Sequence, residues 1–342
     1  MSASSITDRF PNWVRAAALG LAVALSSSGQ ALAEADPLPS WRDGAAKTAV
    51  LGFVETTTDP ASPKFVVEDA RVAVFDNDGT LWAEQPVYFQ FLFALDRAHE
   101  MAAADLAWAA TPALKAAAAG DVAAVLAGGE AALVELVSAT HSGMSVEAFT
   151  AEVAAWLAEA RHPTTGKRYT EMVYQPMLEL LDFLRAKGYE TYIVSGGGVD
   201  FMRAFAEPAY GIPPENVIGS LGNASFVVVD GEPRVMKDPG IAFIDDKGGK
   251  PIGILRHIGR RPVFVAGNSD GDLAMLQWAT AGEGARFGLI VHHTDAAREY
   301  AYDRESHIGR LAEALDAAAA SGWTVVDMAA DWARVFPGDP AE

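Results

Sequence analysis

Residues 72–82 read Val-Ala-Val-Phe-Asp-Asn-Asp-Gly-Thr-Leu-Trp, and this stretch decides how the rest of the chain is understood. Val72 to Phe75 are apolar without polar alternation, the pattern of a strand covered on both faces in a parallel sheet. The strand then runs straight into Asp76 and Asp78. Burying charge is costly unless something pairs with it. Two readings follow: an Asx turn ahead of a helix, or two side chains that hold a cation and carry out chemistry. Carboxylates at i and i+2 can face one side of an extended chain, and two so close do not both ionise cheaply. A hard divalent cation with oxygen ligands resolves that conflict. One carboxylate is then free to act as a nucleophile and the other to move a proton.

Working outward, residues 44–57 have helical spacing and 58–65 form a turn-rich connector. From about 86 to 160 the composition shifts to Ala, Leu, Glu and Trp with almost no strand signal, an all-helical insert in which Ser145, with Glu147 behind it, starts one helix. Strand–helix alternation follows. Residues 175–188 are an amphipathic helix with a glycine stop and 189–198 a strand ending in glycines. Residues 199–211 read as a helix, and a hairpin turns at Asp230-Gly231. Ile252–Gly259 is a helix, 262–268 a strand, 271–280 a helix, 287–293 a strand and 310–322 a helix. Repeated strand–helix units imply an α/β fold with a Rossmann-like parallel sheet as its core.

In such sheets ligands sit at the carboxyl ends of the strands. Asp76 and Asp78 stand at one such end, Ser195 and three glycines at another, Asn268, Ser269, Asp270 and Asp272 at a third, and His292-His293 at a fourth. Ser195 and the backbone after it can hold an anion such as phosphate. A lysine could neutralise charge building in a phosphoryl-transfer transition state; Lys250, Lys247 and Lys237 are the candidates. Asp270 and Asp272 either cap the following helix or join a metal shell. Adjacent histidines on a strand point to opposite faces, so His292 and His293 cannot both ligate one metal. Trp82, Glu84 and Tyr88 are candidates to line the pocket.

The bulk numbers limit the rest. The chain has 342 residues, half of them apolar, and a formal net charge of -19. No Lys/Arg-rich block is present, which argues against nucleic acid as a partner. With no cysteine, disulfides, thiol catalysis and Cys-based zinc sites are excluded. Arg9 and Arg15 precede a short apolar run (16–25) and an Ala31-Leu32-Ala33 site, the layout of a cleavable signal peptide. The expectation is a mature chain from near Glu34, periplasmic or secreted, with no membrane attachment after cleavage.

Taken together, FDNDGTLW, IVSGG, Lys250 in GKPIGILRHIGRRP and GNSDGDLAML resemble, in order and spacing over about 200 residues, the four motifs of the haloacid dehalogenase superfamily, in its phosphatase branch, and the chain looks phosphoserine-phosphatase-like. The resemblance implies residues 34–85 and 173–342 as core and 86–172 as a C1-type helical cap. It implies Asp76 as the nucleophile that forms an aspartyl-phosphate. Asp78 becomes the general acid/base, with its carbonyl on Mg²⁺. Ser195 and Gly196 become phosphate ligands, and Lys250 bridges nucleophile and phosphate. Where the family's fourth motif opens with an aspartate on Mg²⁺, this chain has Asn268, with Asp270 and Asp272 as further metal candidates. Phosphoserine phosphatases read their substrate's amine with a glutamate at the cap entry. Glu84 lies one residue from that place and is a candidate substrate contact, while the substrate itself does not carry over. The implied function is Mg²⁺-dependent hydrolysis of a small phosphorylated molecule. The alternatives are a phosphotransferase or mutase on the same scaffold, or a non-catalytic exported ligand-binding protein.

Overall fold

The computed structural model describes residues 35–341, so the segment read as an export signal lies outside the described residues. The chain opens with α1 (Ala45–Thr58) and then β1 (Val72–Phe75), whose four residues are all buried. Five helices follow: α2 (Phe89–Ala104), α3 (Pro112–Ala118), α4 (Val122–Ala127), α5 (Gly129–Thr140) and α6 (Val146–Glu159). At the start of α6 the Ser145 hydroxyl accepts the Ala148 N–H, as its sequence pattern requires. Next come α7 (Gln175–Ala186), β2 (Glu190–Gly198), α8 (Val199–Arg203) and α9 (Ala206–Tyr210). Residues 199–211 were expected as one helix and are two. Pro208 has no N–H to offer the carbonyl of residue 204 and its ring crowds that turn, so the helix must restart.

The long strands β3 (Val217–Val229) and β4 (Glu232–Phe243) form the expected hairpin. Asp230 and Gly231 turn it with φ of 54° and 85°, the left-handed pair that a tight two-residue hairpin needs. Then come α10 (Gly249–His257), β5 (Phe264–Gly267), α11 (Leu273–Thr280), β6 (Phe287–His292), α12 (Glu313–Ser321), β7 (Thr324–Asp327) and α13 (Met328–Asp331). The tail stretch around Val325 therefore supplies a seventh strand that periodicity left unassigned.

The sheet runs β4-β3-β2-β1-β5-β6-β7. Every pairing is parallel except β3 with β4. The chain builds outward from β1 through β2 and β3, then crosses back to place β5 on the other side of β1. Strand order thus reverses at β1, which makes a crevice outside its carboxyl end. Apolar residues pack on both faces: Phe75, Phe264 and Leu289 on one, Val74, Val265 and Ile290 on the other. That two-sided burial is why the strands read as unbroken apolar runs.

Candidate active site

The crevice is where the polar strand ends meet. Asp76 is the first residue past β1, and its N–H still donates to the Ala266 carbonyl of β5 at 2.9 Å, so the switch point fixes its backbone. The chain then turns at Gly79, with φ of 72°. A Cβ there would fall 2.0 Å from the Asn268 amide nitrogen, so only glycine lets this loop pass so close to the β5 exit. Trp82 Nε1 donates to Asp78 Oδ1 at 2.9 Å and orients that carboxylate.

Lys250, second residue of α10, is 2 % exposed and reaches beneath both loops. Its Nζ donates to Asp76 Oδ1 at 2.6 Å, to Asp272 Oδ1 at 2.6 Å and to the Val194 carbonyl at 3.0 Å. Of the three candidate lysines it is the one at the Asp pair. Lys247 is exposed, and Lys237, on β4, is paired with Asp200. Burial alone would lower the Lys250 pKa, but the Asp272 and Asp76 carboxylates outweigh burial and raise it. The group stays an ammonium.

Ser195 and Gly196 lie at the end of β2 and line the same cavity as Asp76, Asp78 and Lys250. The Ser195 hydroxyl accepts the Gly197 N–H at 3.1 Å. The glycines serve a close approach: a Cβ on Gly198 would sit 2.7 Å from Gln90 Nε2.

The exit of β5 divides its residues by task. Asp272 Oδ2 accepts the N–H groups of Asn268 and Ser269 at 2.9 and 3.0 Å while its other oxygen holds Lys250. Asp270 is turned elsewhere. Its Oδ1 accepts the N–H groups of Ala312 and Ala314, so it caps the start of α12 rather than the following α11. Asn268 accepts from Thr80 Oγ1 at 3.1 Å and donates through Nδ2 to Glu84 Oε1 at 2.7 Å. Glu84 does not reach the cavity. It is 1 % exposed, held by Asn268 and by the Tyr302 hydroxyl at 2.8 Å. Its place as a candidate substrate contact is thereby corrected: it sits behind the β5 loop, because the chain after Thr80 folds back under Asn268. Trp82 is likewise buried, stacked on Phe205, whereas Tyr88 lines the cavity. His293 is buried, with Nε2 2.8 Å from the Gly79 carbonyl, and His292 faces Asp303, so the two do point apart.

Asp76 and Asp272 hold the Lys250 ammonium, Asp78 stands beside them on the cavity side, and Glu84 is set back behind Asn268. Burial, with Asp272 adding to it, pushes the Asp76 carboxyl well above its usual range. Burial likewise raises Asp78, and raises Glu84 strongly. Such an excess of buried negative charge and hard oxygen donors fits a divalent cation such as Mg²⁺. Among the described residues no three Asp, Glu or His side chains cluster as a ready metal cage. The donor set would therefore combine Asp76 with the Asn268 amide oxygen and main-chain oxygen, a mixture that Mg²⁺, which keeps several waters, accepts.

Away from the carboxylates the cavity, about 440 Å³, is walled by parts that the sequence reading did not assign to the site: one face of α5, Phe91 of α2, and the base of the β3–β4 hairpin. Gln90 ties these together. It accepts the Gly198 N–H at 2.8 Å and lies 3.1 Å from His141 Nε2. The hairpin is bonded to the helices through Ser138 Oγ to the Gly240 N–H (2.7 Å) and through Met144 and Gly143 to Lys237. Nothing periodic marks these residues as neighbours; only the length of β3 and β4 hinted that the hairpin would extend past the sheet.

The family model for haloacid dehalogenase-like hydrolase matches residues 73–277, from β1 through most of α11. No curated protein matches. Among solved structures, a protein of unknown function from Bordetella pertussis Tohama I is 17 % identical, with 75 % of this chain and 98 % of that one covered and a TM-score of 0.49. A functionally unknown protein from Anaerococcus prevotii DSM 20548 is 16 % identical, with 73 % and 86 % covered and a TM-score of 0.48. A phosphoserine phosphohydrolase-like protein from Francisella tularensis subsp. tularensis SCHU S4 is 16 % identical, with 65 % and 87 % covered and a TM-score of 0.34.

Proposed function

We propose that this chain, which belongs to the haloacid dehalogenase-like hydrolase family, hydrolyses phosphomonoesters through a phosphorylated Asp76. The observation that carries the reading is Lys250 Nζ, 2.6 Å from both Asp76 and Asp272, with Asp78 and Ser195 facing the same cavity. The ammonium holds Asp76 in one rotamer and leaves its other oxygen for attack. Ser195 and the glycine backbone after it receive the phosphoryl oxygens, and Lys250 offsets the charge that accumulates on them.

In the first half-reaction an Asp76 oxygen forms a bond to phosphorus while the ester P–O bond breaks. The departing alcohol oxygen takes its proton from Asp78. Asp78 faces the same cavity, its carboxylate oriented by Trp82, in position to hand over that proton. In the second half-reaction Asp78 takes a proton from water as the water oxygen bonds to phosphorus. The P–O bond to Asp76 breaks, inorganic phosphate leaves, and both carboxyls return to their starting states. Asp76, Asn268 and main-chain oxygen would hold Mg²⁺, which would supply positive charge to the phosphoryl group. Helices α2 to α6 would act as the cap that excludes bulk water.

The test is phosphate release from phenyl phosphate, with Mg²⁺ and with EDTA, by wild type and by Asp76→Asn. Release that needs Mg²⁺ and falls to background in Asp76→Asn is expected; release undiminished in the variant overturns the mechanism. The N-terminal segment adds a second part to the reading, export from the cytoplasm with cleavage before Glu34. Cell fractionation and the mass of the mature N-terminus check it.

A further inference from the structure

The cavity has a polar end, where Asp76, Asp78, Ser195 and Lys250 meet, and a body end some residues removed, between α5 and the β3–β4 hairpin. Among the described residues that line the body end, the one cation is Lys237. Lys237 is 8 % exposed; its ammonium is paired with Asp200 and lies 4.6 Å from the centre of the Phe149 ring. Asp200 neutralises that charge and takes one of its three N–H donors. His141 is neutral, since burial, with Lys237 and Arg97 adding to it, pulls its pKa down to about 3. Its two nitrogens are occupied as well. Thr140 Oγ1 donates to the Leu136 carbonyl and so accepts from His141 Nδ1, which leaves Nε2 to accept from Gln90. Gln90 in turn spends its oxygen on the Gly198 N–H.

Most of the rest of that wall is apolar. Leu133, Val134 and Val137 recur at i, i+1 and i+4 on α5, the spacing of one helix face. All three are half-buried and line the cavity, with Phe91 and Phe201 beside them. The other charged side chains, Asp238, which accepts the Ser225 hydroxyl, and Asp246, beside Gly196 at the polar end, are both acidic and only half-buried. They disfavour any second anionic group on a ligand.

We infer that the substrate is a phosphomonoester whose alcohol portion is uncharged and apolar, an alkyl or arylalkyl chain, rather than an amino acid, a sugar or a bisphosphate. The inference rests on the phosphatase reading above and deepens it. A polar body would lose its water against a wall that is mostly apolar, while an apolar body loses nothing and covers α5. The cavity volume sets the scale: about 440 Å³ holds a group the size of a phenylalkyl chain with room for the phosphate.

The experiment compares kcat/KM of the full-length protein with Mg²⁺ on esters of primary alcohols, so that leaving-group acidity differs little. The panel is ethyl, n-hexyl and 3-phenylpropyl phosphate, glycerol 3-phosphate, glucose 6-phosphate, O-phosphoserine and phosphocholine. We expect 3-phenylpropyl and hexyl phosphate to exceed each polar ester at least about tenfold. Any polar or charged ester that equals them overturns the substrate class while leaving the phosphatase reading intact. Release from no ester overturns both. In Val137→Asp, and in Val137→Asn should the first misfold, the ratio of kcat/KM for 3-phenylpropyl over ethyl phosphate should fall at least about fivefold. An unchanged ratio in a folded variant removes α5 from the binding surface and the inference with it.

Discussion

At the scale of single residues, the Asn268–Glu84 contact shows how this site distributes charge. The amide donates to a carboxylate 2.7 Å away, and both side chains are buried. Asn268→Asp would place two carboxylates at that distance, and like charges so close are destabilising. We expect a loss of about 2–4 kcal/mol in denaturant unfolding without Mg²⁺, by the mechanism of an unpaired buried charge. Adding Glu84→Gln should recover at least half of it. Single and double variants that simply add would show that the two side chains do not interact. A second buried acid stands alone. Neither oxygen of Asp245 has a hydrogen-bond partner among the described residues, and a Cβ on Gly253 would lie 2.2 Å from one of them. Burial pushes its pKa up to about 7. A carboxyl raised in the folded state contributes stability below its unfolded pKa and loses it as pH rises through the folded value. Asp245 therefore makes the protein less stable at pH 8 than at pH 5, by on the order of 1 kcal/mol or more. Asp245→Asn should be the more stable form at pH 8, with a smaller difference between the two pH values. A wild-type-like pH profile in that variant would contradict this assignment.

At the scale of elements, the hairpin and α5 form one unit with the site between them. Ser138 Oγ on α5 accepts the Gly240 N–H of β4 at 2.7 Å. Removing that acceptor leaves a strand N–H to open toward solvent. For Ser138→Ala the expected result is faster hydrogen exchange at the Gly240 amide, by about five- to tenfold, matching a net hydrogen bond of about 1 kcal/mol. Exchange at Val265 of β5, inside the sheet, should not change. Elements also explain where reading by pattern succeeded. The apolar runs of β1, β5 and β6 are buried on both faces, and the helix stop at Gly188 has the positive φ, 77°, that a glycine C-terminus favours. The pattern failed at α8 and α9, where one proline outweighed helical spacing. It also left β7 unassigned, because Val325 and Val326 sit in a stretch too short for a period to be counted.

At the scale of the whole molecule, a formal charge of -19 on 342 residues repels itself in the folded state. Salt screens that repulsion over a Debye length of roughly 10 Å at 0.1 M. Raising NaCl from about 10 mM to about 300 mM should lift Tm by a few degrees, measured by differential scanning calorimetry without Mg²⁺. A flat or falling Tm would mean that exposed ion pairs, such as Arg168 with Glu171 and Arg304 with Asp316, outweigh the general repulsion. The same acidity makes the buried Lys250 ammonium at the β1 switch point the more conspicuous.

The sequence by itself determined the α/β alternation, the parallel sheet, and three of the strand ends that meet at Asp76, those of β1, β2 and β5. Those are properties of local period and of apolar runs ending in polar residues, which a chain carries wherever it folds. It also supplied Lys250 as one of three candidates, but only the tertiary structure set its ammonium between Asp76 and Asp272. The fold likewise decided that Glu84 lies behind Asn268, that Asp270 caps α12, and that α5 and the hairpin close one cavity. The physical reason is separation along the chain. Lys250 and Asp76 lie 174 residues apart, and Glu84 and Asn268 lie 184 apart. No residue pattern specifies which of several like side chains will meet across such a distance; that is settled when the layers pack and each buried polar group must find its partner.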